Sequence, residues 1–308
     1  MPTNFPEIWL KRVIENLSRN VAATFLEGIA DLDVDVVTIN EGKLSEKNKM
    51  YVAATDFEVD VLINNNTYEL DVQNYDDDTI EITLDKYQTL PTGVSDDDTT
   101  GSSYSKIDTV TKAHNNGILA KKYRKAIHSI APLEDTATTP VIEATGLRAG
   151  ETDPLMDGTR KRLVYDDLVN AKSKADKAGF SIEGRRLVLC DNHWNDLLLD
   201  RKNFGDQLVN YALGKPNPVI AGWELHRYSG MPMYGTDKKK KAFDAVSVTG
   251  DVEASVFFNV DNIAKKTGDT KQYFSSAATA PRTQSNELSY RHYYVVTPFQ
   301  KKKIGAII

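Results

Sequence analysis

Cysteine is the scarcest residue type in this sequence: Cys190 is the only one among 308 residues. One thiol closes no disulfide within the chain and excludes a cysteine-rich zinc site, so nothing in the sequence calls for an oxidising compartment. Long apolar runs are also missing. No stretch approaches the ~20 residues needed to span a bilayer, and the amino terminus lacks the charged start and apolar stretch of an export signal. A strong charge of one sign is absent too. The formal net charge of −6 gives no overall attraction to a phosphate backbone, although a local basic face can still touch one. What the chain does have is 40% hydrophobic and 27% charged residues, enough to bury one sizeable core or two modest ones.

Catalytic signatures are equally scarce. Gly158, in Gly-Thr-Arg-Lys-Arg, lacks the spacing with which a phosphate loop rings its ligand, and no Gly-x-Gly-x-x-Gly occurs. The five histidines, His114, His128, His193, His226 and His292, never stand at i, i+4, so no helix points two imidazoles at one metal. No serine sits in a Gly-x-Ser-x-Gly elbow. The acidic triplets Asp76 to Asp78 and Asp96 to Asp98 lack the alternation and closing glutamate of a calcium loop and read as turns. One cluster, Asp191-Asn-His193-Trp-Asn-Asp196, follows a strand directly, where an open α/β sheet presents catalytic loops. Its simpler reading is a helix capped by Asp191 or Asn192, with Trp194, Leu197 and Leu198 facing the core and His193 exposed. No catalytic, cofactor or metal residue is assigned.

The periodicities are more informative. Trp9, Leu10, Val13, Ile14 and Leu17 recur at helical spacing behind Pro6, giving a short amphipathic helix whose stripe needs a partner surface. Val34 to Ile39 reads as a strand and Asn40 to Lys49 as a loop. From Met50 to Leu84 three pieces, Phe57 to Ile63, Tyr68 to Val72 and Ile80 to Leu84, alternate apolar with acidic or polar residues, the pattern of strands with one dry and one wet face. Tyr104 to Ile130 has no proline and reads as a long helix stopped by Pro132. Its apolar residues fall on two faces, Ile107, Val110 and Ile118 against Leu119, Tyr123, Ile127 and Ile130, as expected when different partners cover its two halves.

Ala137 to Gly158 reads as a loop or linker. Val164, Leu168, Ala171, Ala175 and Ala178 then form one helical stripe, with Asp166 and Asp167 in the first turn and Gly179 as terminator. Arg185 to Cys190 is a buried strand, Asp191 to Leu199 a second helix, and Pro216 to Pro232 a β-and-turn region. Lys238 to Lys241 is a run of four lysines that reads as a solvated loop, as does the trio Lys301 to Lys303. Ala254 to Val260 and Tyr290 to Thr297 are aromatic and β-branched strands, and Pro298 to Ile308 supplies one more short strand.

The order of these pieces resembles that of the major capsid proteins of tailed phages with the Hong Kong 97-type fold, and the likeness extends over nearly the whole chain. Ile80 to Asp98 looks like that family's strand into its spine helix, Tyr104 to Ile130 like the spine helix, the alternating stretch from Met50 to Thr79 like its extended loop, and Ala254 to Ile308 like its closing strands. The resemblance implies an α+β fold: residues 1–42 an amino-terminal arm, 43–79 an extended β-hairpin loop, 80–140 the first part of a peripheral domain with the spine helix, 141–253 an axial α/β domain, and 254–308 the closing strands of the peripheral domain. It implies a structural protein and not an enzyme, one that self-assembles into hexamers and pentamers of an icosahedral shell around double-stranded DNA. A portal, with a separate scaffolding or decoration protein where one is used, would be its partners besides itself and the non-specifically touched DNA. No membrane is involved. The subunit would reside in the virion capsid, and in the bacterial host cytoplasm before and during assembly.

Because Met1 leads straight into the arm helix, this reading leaves no room for a fused scaffolding segment. Lys43, Lys47 and Lys49 lie near the place where some relatives form a covalent cross-link, which is not predicted here. Intersubunit contacts are expected at Trp9, Val13, Leu17, Phe57, Val59, Val61, Tyr68 and Leu70, and at Lys238, Lys239, Lys240 and Lys241, the last four at the tip of the α/β lobe. Two alternatives stand beside this reading: an α/β hydrolytic enzyme using Asp191 and His193, and a cellular nanocompartment shell protein of the same fold.

Overall fold

The structure, a computed structural model, describes residues 23–40, 46–54, 59–70, 72–73, 78–95, 106–147, 160–199, 209–210, 215–216, 219–280 and 282–308. The amphipathic stretch with Trp9, Val13 and Leu17 lies outside them, as do Lys43, Phe57 and the triplet Asp96 to Asp98. In chain order the strands are β1 (Val37–Asn40), β2 (Glu46–Ala54), β3 (Asp78–Thr83), β4 (Asp85–Gln88), β5 (Thr92–Ser95) and β6 (Val141–Ile142). They continue with β7 (Arg185–Leu189), β8 (Val209–Asn210), β9 (Lys215–Pro216), β10 (Val219–Ile220), β11 (Trp223–Arg227), β12 (Met233–Tyr234) and β13 (Val252–Glu253). The last four are β14 (Ser255–Asn259), β15 (Ile263–Ser275), β16 (Ser285–Pro298) and β17 (Ile304–Ile307). Helix α1 is Lys106–Ile130, α2 is Tyr165–Lys177 and α3 is Asp191–Leu199. The fold is mixed α and β.

Three sheets carry the architecture. β1, β2 and β3 form an antiparallel sheet in sequence order, and β15, β16 and β4 form another, with β5 also paired to β16. The third has six strands in the order β10-β11-β7-β14-β17-β6. In it β7 and β11 run parallel with α3 in the connection, as a crossover requires. β16 organises the layers through the two-residue period of a strand. Tyr294 and Val296 face α1 and pack with Tyr123, Ile127 and Ile130. Tyr293 and Val295 face the other way and pack with Met50, Ile82 and Leu84 of the β2–β3 hairpin.

α2 forms where the sequence stripe predicts it. Leu168, Ala171 and Ala175 are buried against Leu187, Leu197 and Trp223. The Asp167 carboxylate accepts from the Val164 amide (3.0 Å) and from Thr145, satisfying amides at the helix start. Gly179 closes the helix at φ +75°, a conformation that favours glycine. The division of α1 between two sets of partners also holds. Ile118 and Val110 pack with Leu288 and Tyr290, while Tyr123, Ile127 and Ile130 enter a larger core with Phe25, Leu26 and Phe258.

Several expectations need correction. The loop expected from Asn40 to Lys49 ends early, because Glu46 to Lys49 already pair with β1. Residues 59–63 and 68–70, expected as strands, join no sheet, since nothing among the described residues offers them an edge. Val141 and Ile142, inside the expected linker, form β6 beside β17. β15 is too polar to signal a strand by its own sequence, yet its thirteen residues pair with β16 along almost their whole length. The strands between Ala254 and Ile308 divide between two sheets. β14 and β17 lie in the six-stranded sheet with β7, and only β15 and β16 join β4 and β5. The cause is burial: Ser-Val-Phe-Phe-Asn of β14 is buried at every position, which suits a central strand covered on both faces. β17 fits beside it because Gly305 leaves room for the Phe257 ring.

Candidate assembly surface

The β2–β3 hairpin starts from a firm base. Its register runs from Lys49 opposite Thr83 to Ala54 opposite Asp78, and Lys49 pairs with Glu81 across it at 2.6 Å. Met50, Ile82 and Leu84 anchor the base in the core beneath β16. The described distal residues, 59–70 and 72–73, by contrast, join none of the core clusters. The Asp60 amide donates to Gln73 Oε1 (3.1 Å), and Gln73 Nε2 returns a bond to Asp60 Oδ2 (2.7 Å), which ties the two sides together. Asn64, at φ 56°, turns the chain, and Asn65 and Thr67 exchange two hydrogen bonds of 2.9 Å.

On this frame Val59, Val61, Leu62, Ile63, Tyr68, Leu70 and Val72 stand in solvent, with exposures from 57% at Leu70 to 87% at Val72. Scattered apolar residues on a surface mean little, but a contiguous apolar group with a polar frame marks a contact surface. Val59, Val61, Tyr68 and Leu70 were expected here from alternation. Leu62, Ile63 and Val72 were not, although the unbroken triplet Val61-Leu-Ile63 signals that strict alternation fails at this point. Asp60 and Glu69 are exposed among them, the kind of charge that discourages indiscriminate strand pairing.

The lysine run is placed differently from its expected position. Instead of projecting from the α/β lobe as a solvated loop, it folds back on the carboxy-terminal end of α1. Lys240 is largely buried, and its Nζ donates to the carbonyls of His128 (2.8 Å) and Ala131 (2.5 Å), where the helix leaves acceptors without an intrahelical partner. Burial lowers its pKa to about 8. Lys238 pairs with Glu143, Lys239 with Glu134 and Lys241 with Asp251, at 3.0 to 3.2 Å. Three of the four lysines are therefore paired with carboxylates of the same chain, and the fourth with backbone carbonyls.

The Asp191 and His193 pair is not brought together either. The Asp191 carboxylate takes Arg227 Nε at 2.6 Å on the surface and is not the helix cap; the cap position belongs to Cys190, whose sulfur accepts the His193 amide at 3.4 Å. His193 is completely buried rather than exposed, its Nδ1 2.7 Å from Ser255 Oγ. Ser255 Oγ also accepts the Cys190 amide (3.1 Å). Burial holds the imidazole neutral, its pKa lowered to about 4, and pushes the Cys190 thiol up to about 11. Beneath them Arg160 grips Asp196 with two bonds, Nη1 to Oδ2 at 2.5 Å and Nη2 to Oδ1 at 3.1 Å, and the Leu163 amide adds a third. This is internal scaffolding around α3. Among the described residues no group of three His, Cys, Asp or Glu side chains converges as a metal site would need, and no helix is long and apolar enough to cross a membrane.

No protein-family model matches this chain, and no curated protein matches it in sequence. Its backbone, however, superposes on solved structures over almost its full length. The capsid of the cyanophage P-SCSP1u is similar with a TM-score of 0.60 and 14% identity, covering 96% of this chain and 93% of that one. The capsid of a native GTA particle gives 0.58 and 10%, covering 94% and 91%. A virus-like particle from Pyrococcus furiosus gives 0.55 and 10%, covering 97% and 98%. The fold is that of the capsid proteins of tailed phages.

Proposed function

We propose that this chain is a major capsid subunit, which self-assembles into hexamers and pentamers of an icosahedral shell enclosing double-stranded DNA. The observation that carries the proposal is the exposed apolar end of the β2–β3 hairpin on a subunit with the phage capsid fold. A soluble monomer gains nothing from holding Ile63, Tyr68 and Val72 in water; a subunit that drapes them over its neighbour does. Each such side chain contributes roughly 1.5–3 kcal/mol when fully buried, so the seven together supply on the order of 10 kcal/mol. The freedom lost on association costs about as much, 4–15 kcal/mol. The hairpin alone is thus about break-even, and closed rings need further contacts, for which the arm stripe with Trp9, Val13 and Leu17 is the first candidate.

In this reading the distal residues of the loop, 59–70 and 72–73, act between subunits, while its base with Met50 is anchored within one. A portal and a separate scaffolding or decoration protein would complete the particle in the virion. Deleting residues 55–77 tests the role of the loop: the expected product is a folded, soluble subunit that forms no shells, and intact shells from the deleted chain would refute it. A second reading, a cellular shell with other cargo, is favoured by the similarity to the Pyrococcus furiosus virus-like particle. Nuclease-protected DNA inside purified particles supports the phage reading, and particles without it support the cellular one.

A further inference from the structure

The face of α1 that meets the four-stranded sheet runs through Thr111, His114, Asn115, Ile118 and Lys122, the spacing of a single helical stripe. All five are buried, and four are polar. Opposite them β16 presents alternate residues, Tyr290, His292 and Tyr294. The His114 ring meets Tyr290 edge-on at 5.8 Å, and the Lys122 ammonium lies 4.0 Å from the centre of the Tyr294 ring. Thr270 Oγ1 holds His292 Nδ1 at 2.9 Å, and Gln272 stands opposite Tyr290 on the neighbouring strand.

Much of this polarity has no protein partner. The hydroxyl of Tyr294, Nε2 of His114 and of His292, Asn115 Oδ1 and both amide atoms of Gln272 are buried without a hydrogen bond among the described residues, while the buried hydroxyls of Tyr290 and Thr111 face each other. Buried polar atoms are nearly always satisfied, and single exceptions are tolerated far better than a cluster. The set mixes donors with acceptors, which a water molecule matches because it offers both. Burial keeps His292 neutral, its pKa lowered to about 3, so the imidazole adds no charge to the seam. The other half of the helix differs: Tyr123, Ala126, Ile127 and Ile130 sit in an apolar cluster with Phe258 and Ile304.

We propose that ordered water molecules bind in this seam and complete its hydrogen bonding, so that α1 meets the sheet through a wet contact over its amino-terminal half and a dry one over its carboxy-terminal half. The wet half can shift by exchanging waters, whereas the dry half is fixed by interlocking side chains. In a shell whose subunits meet slightly different neighbours, a use that rests on the function proposed above, the wet half is where one chain absorbs the difference.

The test uses the full-length chain and does not depend on whether shells form. In the variant Tyr294→Phe a water-bonded hydroxyl is lost and the folding equilibrium constant drops about fivefold or more. Tyr234→Phe, whose hydroxyl donates to the Pro132 carbonyl, calibrates the loss of one such bond. If the seam is dry, the phenylalanine relieves an unpaired hydroxyl, and an unchanged or raised constant overturns the proposal. Amide hydrogen exchange on the wild-type chain gives a second measurement. Amides from Thr111 to Gly117 should exchange at least about tenfold faster than those from Tyr123 to Ile130; equal protection of the two halves overturns it as well.

Discussion

Replacing Val61, Ile63 and Tyr68 together by serine should abolish assembly while leaving the subunit folded. The three side chains are 78%, 84% and 86% exposed, so nearly all of their apolar surface remains available to a neighbour. Burying each contributes roughly 1.5–3 kcal/mol, and removing all three weakens one intersubunit contact by about 5 kcal/mol, or about a thousandfold or more. The same exposure means that the isolated subunit loses no packing, so its stability should change by no more than about 0.5 kcal/mol. Sedimentation velocity over a range of concentrations reads the first effect, and thermal unfolding followed by circular dichroism reads the second. A variant that forms shells at the wild-type concentration would refute the assignment of the hairpin end. A variant that no longer folds would refute the inference that these residues lack partners within the subunit.

Four further outcomes follow from the interior. His193 and His292 have pKa values lowered by burial to about 4 and about 3; the unfolded chain therefore binds protons first as pH falls below about 6.5, and stability declines from there toward pH 4 by on the order of 5 kcal/mol. Urea unfolding at pH 7 and pH 4.5 measures this decline, and His292→Gln should flatten its slope. Asp196→Ala leaves Arg160 buried without its carboxylate and should cost about 3–5 kcal/mol in the same assay, whereas Asp191→Ala breaks only an exposed pair with Arg227 and should cost less than about 1 kcal/mol. Gly305→Ala would place a methyl 2.0 Å from the Phe257 ring, destabilising the chain by about 1–3 kcal/mol or more, and Phe257→Leu in the same chain should recover part of the loss. Lys240→Met removes the cation from the end of α1 and should lower the melting temperature through a loss of about 1–2 kcal/mol; an unchanged melting temperature would mean that the helix end does not need it.

The elements that could be read from the sequence were those whose burial follows one period. α2 has a single stripe from Leu168 to Ala175 facing one core, and β7 has a short apolar run between a turn and a helix. The polar strand β15 could not be read in this way, because Lys265, Lys266, Thr267 and Lys271 owe their place to pairing with β16 rather than to their own burial. The lysine run misled for a similar reason: Glu134, Glu143 and the carbonyls of His128 and Ala131, which hold Lys238, Lys239 and Lys240, are distant in sequence. His193 looked like a surface residue because its partner, Ser255, comes from β14. The sheet-facing stripe of α1 escaped notice because it is polar, and a search for apolar periodicity passes over Thr111, His114, Asn115 and Lys122. At the hairpin the pattern of alternation was visible, but whether its apolar side would meet the chain's own core or remain exposed was not.

The most direct test of the shell reading is cryo-electron microscopy of the purified full-length protein. The account predicts closed particles of uniform diameter in which residues 59–72 of each subunit lie against the next subunit, with Ile63 and Tyr68 buried at the contact. A small discrete oligomer, or a shell in which those side chains still face solvent, would contradict it.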